Sequence, residues 1–469
     1  MDFEKIKEEH KKLIDSHGGY NEVKKRLLEQ TVYAHLYFGA KRDSESIEFA
    51  TGDLKLDWMY HVDLYTRTGI VRLGIPPHSC FEIKERLVGD SVFRISEFAK
   101  TYRQRYPEAK IYLLYQDKGM LSEKVEREVK KQKQIELFQV DTFLGRIKTT
   151  AKINDRIDRV ERDWKSCRDR FIDDARYAYI ENHCTFFLGA GVSMDAGGPS
   201  WKELLEKILK RFKRIGRRTD FDRVYDACGF SPIILGRYAT STEKGLDNIS
   251  DYLQRYVLYR NVNPDNSELI NAICEAVIGP PKDEHICAVG GLDSIITYNY
   301  DDMVETALKK KGVSAARIYL KSRSRKDEFP VYHVHGLIPQ EDHGIVSSLI
   351  LSEREYHEVY KEAFNWSNIE QLHALDRNTC FFIGMSMTDP NLRRLLDISR
   401  TGSDKESRHF AFLKREDLFK PEEVEKNESH FNTIESQLNE LGVQVIWYKN
   451  HNEVPKMLRK IISSASYVG

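Results

Sequence analysis

Residues 184–201, Cys-Thr-Phe-Phe-Leu-Gly-Ala-Gly-Val-Ser-Met-Asp-Ala-Gly-Gly-Pro-Ser-Trp, decide how the fold is read. An apolar run, Phe186 to Leu188, delivers its end into Gly189-Ala190-Gly191, and Pro199-Ser200 opens a helical stretch. Small residues in such a turn let backbone N–H groups approach an anion that the helix dipole also favours. The turn therefore reads as the pyrophosphate loop of a dinucleotide site. It departs from the ordinary G-x-G-x-x-G pattern, because Met194 stands where the third glycine would be. By itself, Gly-Ala-Gly also suits a plain tight turn.

Three later segments share its design. Residues 294–301, Ser-Ile-Ile-Thr-Tyr-Asn-Tyr-Asp, form a β-rich run ending in Asn299 and Asp301. Residues 331–336, Val-Tyr-His-Val-His-Gly, end in His335-Gly336, and residues 381–390 run Phe-Phe-Ile-Gly-Met-Ser-Met-Thr-Asp-Pro through Gly384 and Ser386. Four apolar strands thus place small or polar residues at their C-terminal ends, the edge of an open parallel α/β sheet where ligands bind. The end of the chain, with strands at 409–413 and 443–448 and a helix at 454–462, completes a doubly wound sheet.

Together these segments resemble the sirtuin family over about residues 180–465. Gly189-Ala190-Gly191-Val192-Ser193 with Ala196-Gly197 and Pro199 is similar to its first loop. Thr297-Tyr298-Asn299-Tyr300-Asp301 resembles its Gln-Asn-Ile-Asp segment, with Tyr298 where glutamine is usual. His335-Gly336 is similar to the catalytic His-Gly, and Gly384-Met385-Ser386 to the adenosine-side Gly-Thr-Ser. Protein deacylases of this family carry two Cys-x-x-Cys pairs in a zinc ribbon. The seven cysteines here contain no such pair, and residues 202–290 read instead as a helical insertion. With Pro199-Ser200-Trp201 and residues 386–395, Ser-Met-Thr-Asp-Pro-Asn-Leu-Arg-Arg-Leu, that combination is more similar to bacterial sirtuin-like antiphage effectors, which hydrolyse NAD.

The resemblance implies a Rossmann-like domain over 183–469 that takes NAD as its substrate and binds no structural metal. Cleaving the nicotinamide–ribose bond passes through an oxocarbenium-like state, so the protein must orient, desolvate and admit a water. Asn299 is expected to fix the ribose or the attacking water, and His335 to act as base. Gly189, Ala190, Gly191, Ser193, Asp301, Gly384 and Ser386 are expected to bind NAD: Asp301 at the nicotinamide end or steadying the loop, Ser193 at phosphate, Ser386 at the adenosine ribose. Other readings stay open. His333 faces the same side as His335 if the strand continues, and so competes with it. Asn299 also suits a helix cap, and Asp389-Pro390 reads as a helix start only.

Residues 1–150 read as a separate α/β unit. Helical spacing covers 1–40, β-rich runs lie at 61–65, 80–84, 110–115 and 135–140, and a helix spans 91–106. Asp63 followed by Glu82-x-Lys84 resembles the restriction-endonuclease core, in which two carboxylates bind magnesium and the lysine steadies water or phosphate. Alternation puts Glu82 and Lys84 on one strand face, and Glu48 is a further candidate from a preceding helix. The same residues are also what a half-exposed, solvated sheet would carry. An inactive, nuclease-like fold kept for sensing or assembly fits them as well. Residues 151–182 read as a charged helical connector.

Composition bounds the rest. With 469 residues, two or three domains are expected, and the formal net charge of zero gives no global pull towards nucleic acid or membrane. No apolar run approaches bilayer length, the charged start is not a signal peptide, and unspaced cysteines suit a reducing cytoplasm. Two functions therefore compete. One is a triggered NAD hydrolase of antiphage defence, a homo-oligomer answering to a phage-derived or nucleic-acid signal. The other is a magnesium-dependent nuclease regulated by a nucleotide-sensing sirtuin-like domain.

Overall fold

A computed structural model describes residues 21–40, 47–49, 62–87, 89–117, 126–127, 129, 132–212, 218–229, 231–240, 245–279, 292–321, 325, 327–341, 349–362, 365–400 and 409–463. The chain divides into two units, Met1–Glu161 and Arg162–Gly469.

The first unit is built on a five-stranded mixed sheet. Helix α1 (Asn21–Ala40) is followed by β1 (Ile47–Phe49), β2 (Leu64–Thr66) and β3 (Cys80–Arg86), then α2 (Gly89–Arg105), β4 (Ile111–Asp117) and β5 (Ile135–Gln139). The strands lie in sequence order, antiparallel from β1 to β3 and parallel from β3 to β5. Strand alternation sorts the core into two layers. Phe81, Ile83, Tyr112 and Leu114 pack with Val32 and Leu36 of α1, while Cys80, Ile111 and Leu113 pack with Val92, Ile95 and Phe98 of α2. Glu48 belongs to β1, not to a helix. Helix α3 runs Val140–Glu181, so the helix expected over the connector begins directly after β5.

The second unit carries β6 (Cys184–Leu188), α4 (Ala190–Asp195), α5 (Trp201–Phe212), α6 (Arg218–Ala227), α7 (Pro232–Thr240), α8 (Gly245–Leu253) and α9 (Glu268–Ile278). It continues with β7 (Leu292–Thr297), α10 (Met303–Lys310), β8 (Ala315–Ile318), β9 (Phe329–His333), α11 (Glu353–Lys361), α12 (Trp366–Arg377), β10 (Thr379–Ile383) and α13 (Pro390–Ser399). It ends with β11 (His409–Lys414), α14 (Val424–Glu440), β12 (Val443–Tyr448) and α15 (Glu453–Ile462). Seven parallel strands form one sheet in the order β12-β11-β10-β6-β7-β9-β8. This is the expected doubly wound α/β architecture.

One face of the sheet, including Phe186, Leu188, Ile295, Val331, Phe381 and Ile383, packs under α9, α10 and α15. The described residues of the expected insertion are mainly helical, in α5 to α9; its residues 213–217, 230, 241–244 and 280–290 lie outside the described ones. Leu205, Ile208 and Leu209 of α5 and Leu235 of α7 join Tyr300, Ile338 and Leu351 from the loops after β7 and β9 in a separate apolar cluster. The insertion therefore buttresses the sheet edge that carries the candidate site. No described helix is long and apolar enough to cross a membrane.

Candidate active site

The four strands that end in candidate residues are neighbours, in the order β10-β6-β7-β9. Each strand stops before those residues: Ala190, Gly191 and Ser193 open the short helix α4, and the others lie in loops. At the centre, the turns after β6 and β10 interlock. Gly189 N–H donates to the Ile383 carbonyl at 3.0 Å and Gly191 N–H to the Gly384 carbonyl at 2.9 Å. A Cβ on Gly191 would lie 2.7 Å from the Gly384 Cα, and Gly384 itself sits at φ +67°. These glycines permit close backbone approach, and the two N–H groups expected to face an anion are given to carbonyls instead.

Ser193 is also committed. Its hydroxyl donates to Asp301 Oδ2 at 2.6 Å, and Met303 N–H reaches Oδ1 at 3.3 Å. Burial pushes the Asp301 carboxyl up to about 6, despite both donors. In this arrangement Asp301 ties Ser193 of α4 to the start of α10. Asn299 Nδ2 donates to the Gly189 carbonyl at 2.9 Å, fixing the amide across the same turn.

The two histidines part company. His333, fully buried, is the last residue of β9 and places Nε2 2.5 Å from Glu305 Oε1, with Nδ1 3.3 Å from the Asn299 carbonyl. Burial disfavours its charge, but Glu305 and the Asn299 carbonyl outweigh that and raise its pKa. His335 lies beyond the strand, so alternation no longer sets its direction, and its neighbours differ, being the rings of Tyr298 and Tyr356. No hydrogen bond holds its ring nitrogens among the described residues. It is 8% exposed. Burial lowers its pKa, and the charge of Asp389 opposes that shift. It is therefore neutral near pH 7, the form a general base requires.

Sequence reasoning gave no role at His335 to the residues that frame it. Tyr298 presents its ring at 4.5 Å and 64°, with its hydroxyl on Gln371 Oε1. Tyr356 stands on another side at 5.6 Å and 80°, donating to Asp389 Oδ2 at 2.5 Å. Asp389 caps α13 through Leu392 N–H at 2.8 Å, as the Asp-Pro signal indicated, and holds Tyr356 as well. The capping box of Ser352 and Glu355 at the start of α11 is the sequence signal that fixes where Tyr356 falls. Ser386 lies exposed at the rim, 2.7 Å from the Thr388 hydroxyl.

In the first unit, Asp63, Glu82 and Lys84 come together. Lys25 of α1 reaches Asp63 Oδ1 at 3.1 Å, Ile83 N–H reaches Oδ2 at 2.6 Å, and Lys84 pairs with Glu82 Oε1. Glu82 is 4% exposed, and its Oε2 is buried without a partner. Burial and then the charge of Asp63 push its carboxyl up to about 7, against Lys84. Both oxygens of Asp63 are engaged, by Lys25 and by Ile83 N–H. Among the described residues, no group of three or more His, Cys, Asp or Glu is arranged to hold a metal ion.

Residues 293–446 match the SIR2-like domain family, a span that includes Asn299, His335 and Gly384 and begins after the glycine turn. NAD(+) hydrolase ThsA of Bacillus cereus (strain MSX-D12) is 27% identical over 305 residues, 62% of this chain and 56% of that protein. The proteins of the same name from Acinetobacter baumannii (strain 532279) and Enterococcus faecium are 24% and 22% identical, over 64% and 61% of this chain. The chain spans 56% of the length of each of these three relatives.

Proposed function

We propose that the chain hydrolyses NAD to nicotinamide and ADP-ribose, as a triggered effector of bacterial antiphage defence. The observation that carries the reading is the placement of Asn299 and His335 just beyond the adjacent strands β7 and β9, with Asn299 bonded to the interlocked glycine turns. Distant similarity to proteins named NAD(+) hydrolase supports it.

With Nδ2 of Asn299 held by Gly189, its Oδ1 is the acceptor that orients a ribose hydroxyl or the attacking water. As the C1′–N bond breaks, its electron pair leaves with nicotinamide. Water forms the new bond to C1′ and gives one proton to His335, which passes it to solvent. His333 takes no part in this step, being bound to Glu305. Gly189, Ala190, Gly191, Ser193, Asp301, Gly384 and Ser386 form the NAD-binding wall in this reading. Uncontrolled hydrolysis would exhaust the host's own NAD, so activity requires a trigger, either a phage component or nucleic acid, acting on a homo-oligomer in the cytoplasm.

Asn299→Ala tests the assignment. Turnover is expected to fall by about a hundredfold or more while NAD still binds and the thermal midpoint is kept. Full activity in that variant would remove Asn299 from the mechanism. A second reading, a magnesium-dependent nuclease centred on Asp63, Glu82 and Lys84 with NAD as regulator, rests on the orphaned Glu82 oxygen.

A further inference from the structure

We propose that Tyr356 and Asp389 are a positioning pair for His335, setting the orientation and proton affinity of its imidazole during NAD cleavage. The inference deepens the hydrolase reading and rests on it for the chemistry, though not for its geometry.

Two aromatic rings meet the imidazole at steep angles, Tyr298 at 64° and Tyr356 at 80°. Each is pinned at its hydroxyl, Tyr298 by Gln371 and Tyr356 by Asp389. The Gln371 amide is itself held, donating to the Ser367 carbonyl at 2.9 Å within α12. The pins differ in kind: Gln371 is neutral, whereas Asp389 brings an acidic group. Asp389 is fixed at both oxygens, by Tyr356 and by the first turn of α13, so its carboxylate is pre-oriented. Two further ionisable groups, Glu355 of α11 and His333 of β9, are committed elsewhere. Glu355 accepts from Ser352, and His333 is bound to Glu305.

When water loses its proton to His335, a buried imidazolium forms beside aromatic walls that cannot solvate it. The Asp389 charge stabilises that cation, and the Tyr356 ring keeps the imidazole from turning away. Asp389 thus acts through His335 and does not touch substrate.

The test uses the full chain and two conservative variants. Asp389→Asn keeps a helix cap and an acceptor for Tyr356 but removes the charge; Tyr356→Phe keeps the ring and removes the tether. In Asp389→Asn, NMR titration of labelled histidines should show the His335 imidazole protonating at lower pH than in wild type. The acidic limb of kcat should move the same way, with kcat down by about a hundredfold and KM little changed. Tyr356→Phe should change both readouts in the same direction by less. A His335 titration unchanged in both variants overturns the proposal. Should wild type release no nicotinamide even with lysate of phage-infected cells, the hydrolase reading fails, yet the titration still decides whether the pair tunes His335.

Discussion

His333 and His335 stand two residues apart and have different fates, which strand alternation alone would not give. The sequence shows both imidazoles. It does not show that β9 stops at His333, nor that Glu305, in the first turn of α10, comes round to meet it. Removing that partner leaves a buried imidazole without its counter-charge, so Glu305→Ala should cost about 3–5 kcal/mol in denaturant unfolding. A loss well below 1 kcal/mol would mean that the pair does not hold the site together. Asp301 makes a pH-dependent prediction. Its folded-state value of about 6 lies above the ordinary 3.8, so the folded protein keeps this proton to higher pH than the unfolded chain does. The stability from this group is full below about pH 4 and is lost as pH rises through about 6. Asp301→Asn cannot titrate, so its thermal midpoint should gain on wild type between those limits. A constant difference between the two proteins across that range would contradict the burial argument.

At the scale of elements, the four apolar runs were legible because each is short, β-rich and closed by glycine or a polar residue. Their lateral order was not. Nothing local in residues 381–383 says that β10 pairs with β6, almost two hundred residues earlier, in register from Thr379 with Cys184. The meshing of their turns follows from that pairing. It gives the glycines a packing role that the phosphate-loop reading had not foreseen. Gly384→Ala would put a Cβ 2.8 Å from Val192 N at a left-handed backbone position. It should cost about 1–3 kcal/mol and weaken NAD binding, as thermal melts with and without NAD would report. A variant as stable as wild type and binding NAD equally would show that the turns can separate freely. The early start of α3 was hidden for another reason. No glycine or proline marks the step from β5 into the helix at Val140.

For the whole molecule, a neutral balance of charge argues for no particular partner, so function must be read from two sites on two sheets. The Asp63, Glu82 and Lys84 grouping was legible as a spacing. Lys25 was not, because its approach to Asp63 depends on how α1 packs. Glu82→Gln in the full chain should leave nicotinamide release intact and abolish any magnesium-dependent DNA cleavage; cleavage surviving in that variant would dismiss the nuclease site. The central claim is tested most directly by nicotinamide release from NAD by purified protein, with and without lysate of phage-infected cells, beside His335→Ala. The expected result is release that depends on the lysate and vanishes in the variant. NAD bound without release in every condition, or release undiminished in His335→Ala, would contradict it.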